Sequence, residues 1–286
     1  MALWRLMACL AHPDDECFSM AGILASSTAQ GVAAELICAT RGEAGDIRMP
    51  SSATPETLGE VRHQELRASC NVLGIVEPIM LGYRDSGWGD DPAQRHPQAF
   101  VNAPDRDVVQ QLVAEFRRFR PHVILTFEPG GLTGHKDHIA MSKHATFAYQ
   151  VAGDPHAFPE QLQDGLEAWS PQRLLYVARP QGSQLERARR LREAGVNVPL
   201  PPPETWSQGV PLEQIHLTLD VSEQLPTKLA SLRCHRTQAS PEMDHIDWSQ
   251  GGLAEMYSRE YLIQADPPVP DGATIDPDIF AGLNAE

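Results

Sequence analysis

Residues 3–40 read LWRLMACLAHPDDECFSMAGILASSTAQGVAAELICAT, and their pattern decides the fold. Leu3–Leu10 is an apolar-leaning run, broken by Arg5 and ended by a polar cluster. A strand covered on both faces reads this way, because neither of its faces meets water. Met20–Gln30 then reads as helix and closes on Gly31 in a C-cap role. Ala34–Thr40 is a second buried run. Strand, helix and strand in this order form a βαβ unit, so a parallel sheet is expected.

The alternation continues outward. Pro55–Leu73 reads as a helix with Pro at its start and Gly74 past its end, and Pro78–Leu81 as a short strand. Asp105–Phe119 is amphipathic, with Val108, Leu112 and Phe116 on one face and arginines near its end. His122–Phe127 is another buried strand, and His138–Tyr149 suits a helix. Leu174–Ala178 and Ile215–Leu219 are further strands, with a helix near Ser222–Cys234. Arg41–Thr54 and Arg84–Pro104 are rich in Gly, Pro, Asp and Ser and follow strands, where open α/β sheets place their ligands. Val198–Pro203 reads as a surface excursion. One domain over residues 1–266 is expected, with 267–286 an extended or mobile tail.

The chain has 286 residues, 42% hydrophobic and 21% charged, ordinary values for a globular protein. Its net charge of -15 disfavours nucleic acid or an anionic membrane as the main partner. The five cysteines are scattered and form no CxxC pair, which fits reduced thiols and a cytoplasmic location. No apolar run approaches the roughly 20 residues of a membrane span, so no membrane insertion is expected.

Two strings carry chemistry. Ala11-His12-Pro13-Asp14-Asp15-Glu16 ends the first strand with one imidazole and three carboxylates. Crowded acids repel one another, and a cation relieves that repulsion. Imidazole with carboxylate suits Zn²⁺ and other divalent ions such as Fe²⁺. A plainer account is a helix start, with Asp14 or Asp15 as the cap and Glu16 in the first turn. Gly134-His135-Lys136-Asp137-His138 follows His122–Phe127 and the turn Glu128-Pro129-Gly130-Gly131. Each string lies past a strand C-terminus, so the two can meet at the topological switch point.

These two strings resemble the LmbE / PIG-L deacetylase family, over most of the chain to about Gln238. The resemblance implies a Rossmann-like sheet with helices on both faces, and hydrolysis of the N-acetyl amide of a GlcNAc-inositol- or GlcNAc-malate-like small molecule. It implies His12, Asp15 and His138 as zinc ligands, Asp14 as general base, His135 as oxyanion stabiliser and Asp137 as the group orienting a histidine. Arg62, Asp85 and His235 would contact the amino-sugar substrate, and Lys228 belongs with His235 to a C-terminal signature. His63, His96, His122, His144 and His245 are expected to be structural or at the surface. Position 136 is Lys where many relatives have Pro, and position 133 is Thr where the mycothiol-pathway member has Tyr. An amidase of the mycothiol-conjugate type and a non-catalytic metal- or sugar-binding protein are the alternatives. Relatives are often homo-oligomers; the sequence itself specifies no such state.

Overall fold

The computed structural model describes residues 4–239, 241 and 246–285. A seven-stranded sheet runs in the order β3-β2-β1-β4-β5-β7-β6. Its strands are β1 (Arg5–Leu10), β2 (Ala33–Thr40), β3 (Ile79–Tyr83), β4 (Val123–Phe127), β5 (Arg173–Ala178), β6 (Leu217–Asp220) and β7 (Arg259–Asp266). β1 to β5 pair in parallel, and β7 lies antiparallel to both β5 and β6. The sheet is therefore mostly parallel, of the α/β class. In β1 all five residues after Arg5 are buried, which is why the run shows no alternation.

The helices are α1 (Asp15–Ser19), α2 (Ala21–Ala29), α3 (Leu58–Val72), α4 (Asp105–Phe119), α5 (Gly131–Gly134, a single turn) and α6 (Lys136–Val151). After them come α7 (Pro159–Gln163), α8 (Ser183–Glu193), α9 (Leu225–Cys234) and α10 (Gly251–Tyr257). α2, α3 and α9 pack as one group, and α4 and α6 as another. α4 buries Val108, Val109, Leu112, Val113 and Phe116 as one stripe and carries Asp105 and Asp107 in its first turn. Its Arg117, 2% exposed, donates to the carbonyls of Ala152, Asp154, Ala157 and Phe158. It thereby satisfies backbone acceptors just past α6 that burial would otherwise strand.

The structure departs from the sequence reading at one helix start and one strand. The helix expected to begin at His138 begins at Lys136, because the His135 ring accepts a hydrogen bond from the Asp137 amide and so serves as the cap. The antiparallel strand β7 is absent from the sequence reading, since two of its three buried residues are Glu260 and Gln264, which erase the apolar alternation. Segment 267–286 contains no helix or strand among its described residues, yet it packs back on the sheet. Phe280 stacks on Trp4 with centroids 5.2 Å apart, and Arg173 donates to the carbonyls of Ile279 and Ala281.

The strand order reverses direction between β1 and β4, which are neighbours. The AHPDDE string leaves the C-terminal end of β1, and the GHKDH string follows that of β4. The crevice at such a reversal is where open α/β sheets bind ligands.

Candidate active site

Beyond β1, Asp14 occupies the cap position of α1 with φ 100°, a left-handed conformation that a residue with a Cβ rarely adopts. Its side chain makes no capping hydrogen bond, so a helix cap does not account for it. Strain of this kind, on the order of 1–3 kcal/mol, persists where the surroundings over-determine it. Here Asp15 Oδ2 accepts from the amides of Ala11 and His12, and Glu16 Oε2 from that of Asp14.

The strings meet through His12 and His138. His12 Nδ1 lies 3.1 Å from His138 Nε2, and Asp15 is 3.1 Å from His138 Nε2 and 3.7 Å from His12 Nδ1. The opposite ring nitrogens fix the tautomers. His138 Nδ1 is 3.1 Å from the Gly131 carbonyl, which can only accept, so Nδ1 carries the hydrogen and Nε2 a lone pair. Gly131 has φ 68°, and a Cβ there would meet His138 Cβ at 2.9 Å, so this contact requires glycine. His12 Nε2 faces Asp137 at 3.1 Å and Asp85 at 3.3 Å, which leaves the lone pair on Nδ1. Two ring lone pairs and a carboxylate thus converge on one point.

Such a convergence is repulsive without a positive charge. Burial opposes protonation of His12, but Asp85, Asp137 and Asp15 outweigh it and hold its pKa well above the usual histidine value. Burial also works against the Asp15 anion, yet His138 and His12 hold its pKa far below the carboxylate range. A divalent ion meets the same demand, because metal replaces protons at such ligands. Tetrahedral zinc with bonds of about 2.0–2.2 Å sets its ligand atoms roughly 3.3 Å apart, close to the separations here. The donor set therefore fits a metal ion.

His135 differs from its neighbours. Its Nδ1 accepts the Asp137 amide, so Nε2 carries the hydrogen. Its ring lies 4.5 Å from that of His12 and 5.1 Å from that of His138. Burial first, then the charges of His12 and His138, lower its pKa to about 4. His135 also falls within ligating range of the other two histidines, but its neutral tautomer makes it a hydrogen-bond donor.

Of the residues expected at the substrate, the structure buries three. Arg62, 4% exposed, donates to the carbonyls of Gly42 and Pro13 and pairs with Asp14 at 3.2 Å. Gly42 has φ 68°, and any Cβ there would strike the guanidinium. Arg62 thus brackets the acid. Asp85, 3% exposed, accepts from the amides of Ala44 and Gly87 and backs His12. His235, 1% exposed, has Nε2 2.5 Å from Glu16, which also accepts from the Ser69 hydroxyl. Lys228 pairs with Glu260 at 2.6 Å, out of contact with the cluster. Among the other histidines, His122 accepts from the Arg5 amide and His144 faces Asp105, while His245 lies outside the described residues.

The sequence reading left Ser86 and Trp88 without roles, and gave Glu16 only a place in the first turn of a helix. Ser86 donates to both oxygens of Asp137, and the exposed Trp88 ring lies 5.4 Å from His135. Trp88 had a signal, an aromatic between two glycines at a loop tip.

A cavity of about 220 Å³ opens beside the cluster, with Asp14, Phe18 and His235 in its wall. A larger one of about 640 Å³ lies against α4 and α6 and is mostly apolar, with Val109, Phe147 and Phe158. It contains none of the clustered acids and histidines, whereas the smaller cavity borders Asp14 and His235.

The fold and the cluster define the class. The sequence family PIG-L, described as GlcNAc-PI de-N-acetylase, matches residues 7–149, a stretch containing both strings. The chain belongs to this family and is an N-deacetylase, an amide hydrolase. It is 31% identical to 1D-myo-inositol 2-acetamido-2-deoxy-alpha-D-glucopyranoside deacetylase of Thermobispora bispora, over 99% of this chain and 100% of that one. N,N'-diacetylchitobiose deacetylase from Pyrococcus horikoshii has the same fold, with TM-score 0.64 and 18% identity over 91% of this chain and 83% of that one. So has 4-carboxy-2-hydroxymuconate hydratase from Pseudomonas putida KT2440, at 0.60 and 17% over 95% and 99%. A hydratase on this fold means that the fold alone does not choose the reaction.

Proposed function

We propose that this chain removes the acetyl group from a GlcNAc-inositol-like small molecule, with one Zn²⁺ held by His12 Nδ1, Asp15 and His138 Nε2. The observation that carries the reading is the pair of facing ring lone pairs beside the Asp15 carboxylate. When bound, the metal supplies a Lewis acid that acidifies water and polarises the amide carbonyl.

Asp14 is the base. Its carboxylate is the one member of the cluster held mainly by Arg62, and it borders the cavity. It accepts the proton of the attacking water and returns it to the leaving nitrogen as the C–N bond breaks. The products are acetate and the free amino sugar. Burial raises the pKa of Asp14 and Arg62 opposes the rise, which favours a base able to give its proton back. His135 offers its Nε2 hydrogen to the developing oxyanion as a neutral donor. Asp137 and Asp85 hold the tautomer of His12, and Arg62 holds Asp14 in its left-handed conformation.

The test is acetate release from GlcNAc-inositol by the zinc-loaded chain, with metal content measured on the same sample. One metal per chain with steady turnover is expected. Stoichiometric metal without turnover of any N-acetyl sugar would leave a binding protein, and absence of tight metal would sink the reading altogether.

A further inference from the structure

Trp88 stands in the loop after β3, 62% exposed, more than any other tryptophan of the chain. Its indole N–H makes no hydrogen bond among the described residues, whereas those of Trp169 and Trp206 each donate to a backbone carbonyl. A lone exposed aromatic needs no explanation by itself. The position of this one is specific. The Trp88 ring lies 5.4 Å from that of His135, at 52° to it, and the His135 ring lies 4.5 Å from that of His12. Trp88 thus reaches the cluster through His135, whereas the 220 Å³ cavity reaches it through Asp14.

The loop holds Trp88 there from both sides. Gly87 and Gly89 flank it with φ 70° and 63°, values that favour glycine. A Cβ on Gly87 would meet that of Asp91 at 2.6 Å, and the Asp91 amide donates to the Trp88 carbonyl. Before Trp88, the Gly87 amide donates to Asp85, the carboxylate behind His12. After it, the Gln94 side chain donates to the Gly89 carbonyl and accepts from Lys136, the residue that follows His135. The backbone on each side of Trp88 is therefore tied to a residue that touches or adjoins a clustered histidine. An indole so placed offers a rigid apolar face that costs little entropy to use.

A pyranose carries its hydroxyls around the rim and C–H bonds on its faces, so a face can lie flat on an aromatic ring while the rim stays hydrated. The acetamide nitrogen is bonded directly to that pyranose. A sugar whose acetyl group reaches His135 therefore has its ring within one ring's width of it, where Trp88 stands. We infer that Trp88 is the binding residue on which the pyranose lies, and that it selects a sugar acetamide over an open-chain one. This rests on the deacetylase reading and adds to it a residue for ring recognition.

The experiment uses the full zinc-loaded chain with GlcNAc-inositol and with N-acetylethanolamine, an acetamide that has a hydroxyl and no ring. The exposure of Trp88 means that truncating it leaves the core untouched. In Trp88→Ala, KM for GlcNAc-inositol should rise about tenfold, equivalent to ~1.4 kcal/mol. The loss should lie in KM rather than kcat, because the ring face is held alike before and during the reaction. Trp88→Phe keeps an aromatic face and should recover most of the loss. A wild-type KM in Trp88→Ala, or a loss confined to kcat, overturns the proposal, and the second outcome would make Trp88 a support for His135. Equilibrium titration of Asp14→Asn, followed by tryptophan emission, gives a readout independent of turnover. GlcNAc-inositol should change the emission, N-acetylethanolamine should not, and adding Trp88→Phe should remove the change. An emission change that survives in the double variant, or that the open-chain acetamide reproduces, also overturns the proposal. If the wild-type chain deacetylates no N-acetyl sugar, the deacetylase reading fails by itself. The titration then still decides, and absence of any sugar-dependent change in emission removes the platform.

Discussion

Asp137 holds His12 from behind, with Oδ2 3.1 Å from His12 Nε2 while Ser86 donates to both carboxylate oxygens. Asp137 is fully buried, so its acceptors have no water to turn to. The arrangement commits His12 Nε2 to its hydrogen and frees Nδ1. In Asp137→Asn an amide N–H can face the ring and favour the opposite tautomer. Partners of this kind are worth about 10–100-fold in metal affinity. A loss of that size is expected when zinc is titrated against a chromophoric chelator, and wild-type affinity in the variant would refute the tautomer argument.

Asp14→Asn should separate binding from turnover. Asp14 touches neither His12 nor His138 among the described contacts, and its carboxylate pairs with Arg62. Metal content by mass spectrometry should therefore match the wild type. Turnover should fall by about 10²–10⁴, the contribution expected of a general base. Loss of metal in this variant would make Asp14 a ligand, and unchanged kcat would place the base elsewhere.

These roles were unequally legible in the sequence. The parallel sheet could be read because β1, β2 and β4 are buried over most of their length and leave nearly continuous apolar runs, interrupted by charge only at Arg5 and Glu35. That the two strings can meet followed from each lying past a strand end. What stayed hidden was polar burial. Glu260 and Gln264 face the core in β7, and Arg62, Asp85 and His235 are each buried against protein partners. Whether a polar side chain binds a ligand or a neighbouring backbone depends on partners distant in sequence. Arg62 finds its carbonyls 20 and 49 positions away, and His235 its carboxylate 219 away. No local pattern reports such distances.

If Asp14 is the proposed base, Arg62 sets the pH at which it can work. Burial raises the Asp14 pKa, and the Arg62 charge is the largest effect opposing it. Removing that charge in Arg62→Gln raises the pKa further. The base acts only when ionised, so activity is lost as pH falls through this pKa. The acid limb of kcat/KM should accordingly shift to higher pH in Arg62→Gln, with Arg62→Lys shifted less because it keeps the charge without the fork. A pH–rate series in which the limb stays fixed while kcat drops would confine Arg62 to shaping the loop.

Lys228 and Glu260 are a stability device, and their test needs no substrate. Both are buried, 2.6 Å apart, and the Glu260 oxygens accept from the amides of Gly22 and Ile23 at 2.8 Å each. Glu260 on β7 thus caps the start of α2 from across the fold, where an anion also suits the helix dipole. Lys228→Met leaves that anion buried with only two amide donors. Breaking one side of a buried pair removes about 3–5 kcal/mol. Glu260→Gln removes the charge, keeps an acceptor for one amide, and strands the Lys228 ammonium. In the double variant no buried charge remains, so its loss should be clearly smaller than the sum of the two single losses. Urea unfolding of the three variants measures that coupling, and strictly additive losses would show that the two charges stabilise the fold independently of each other.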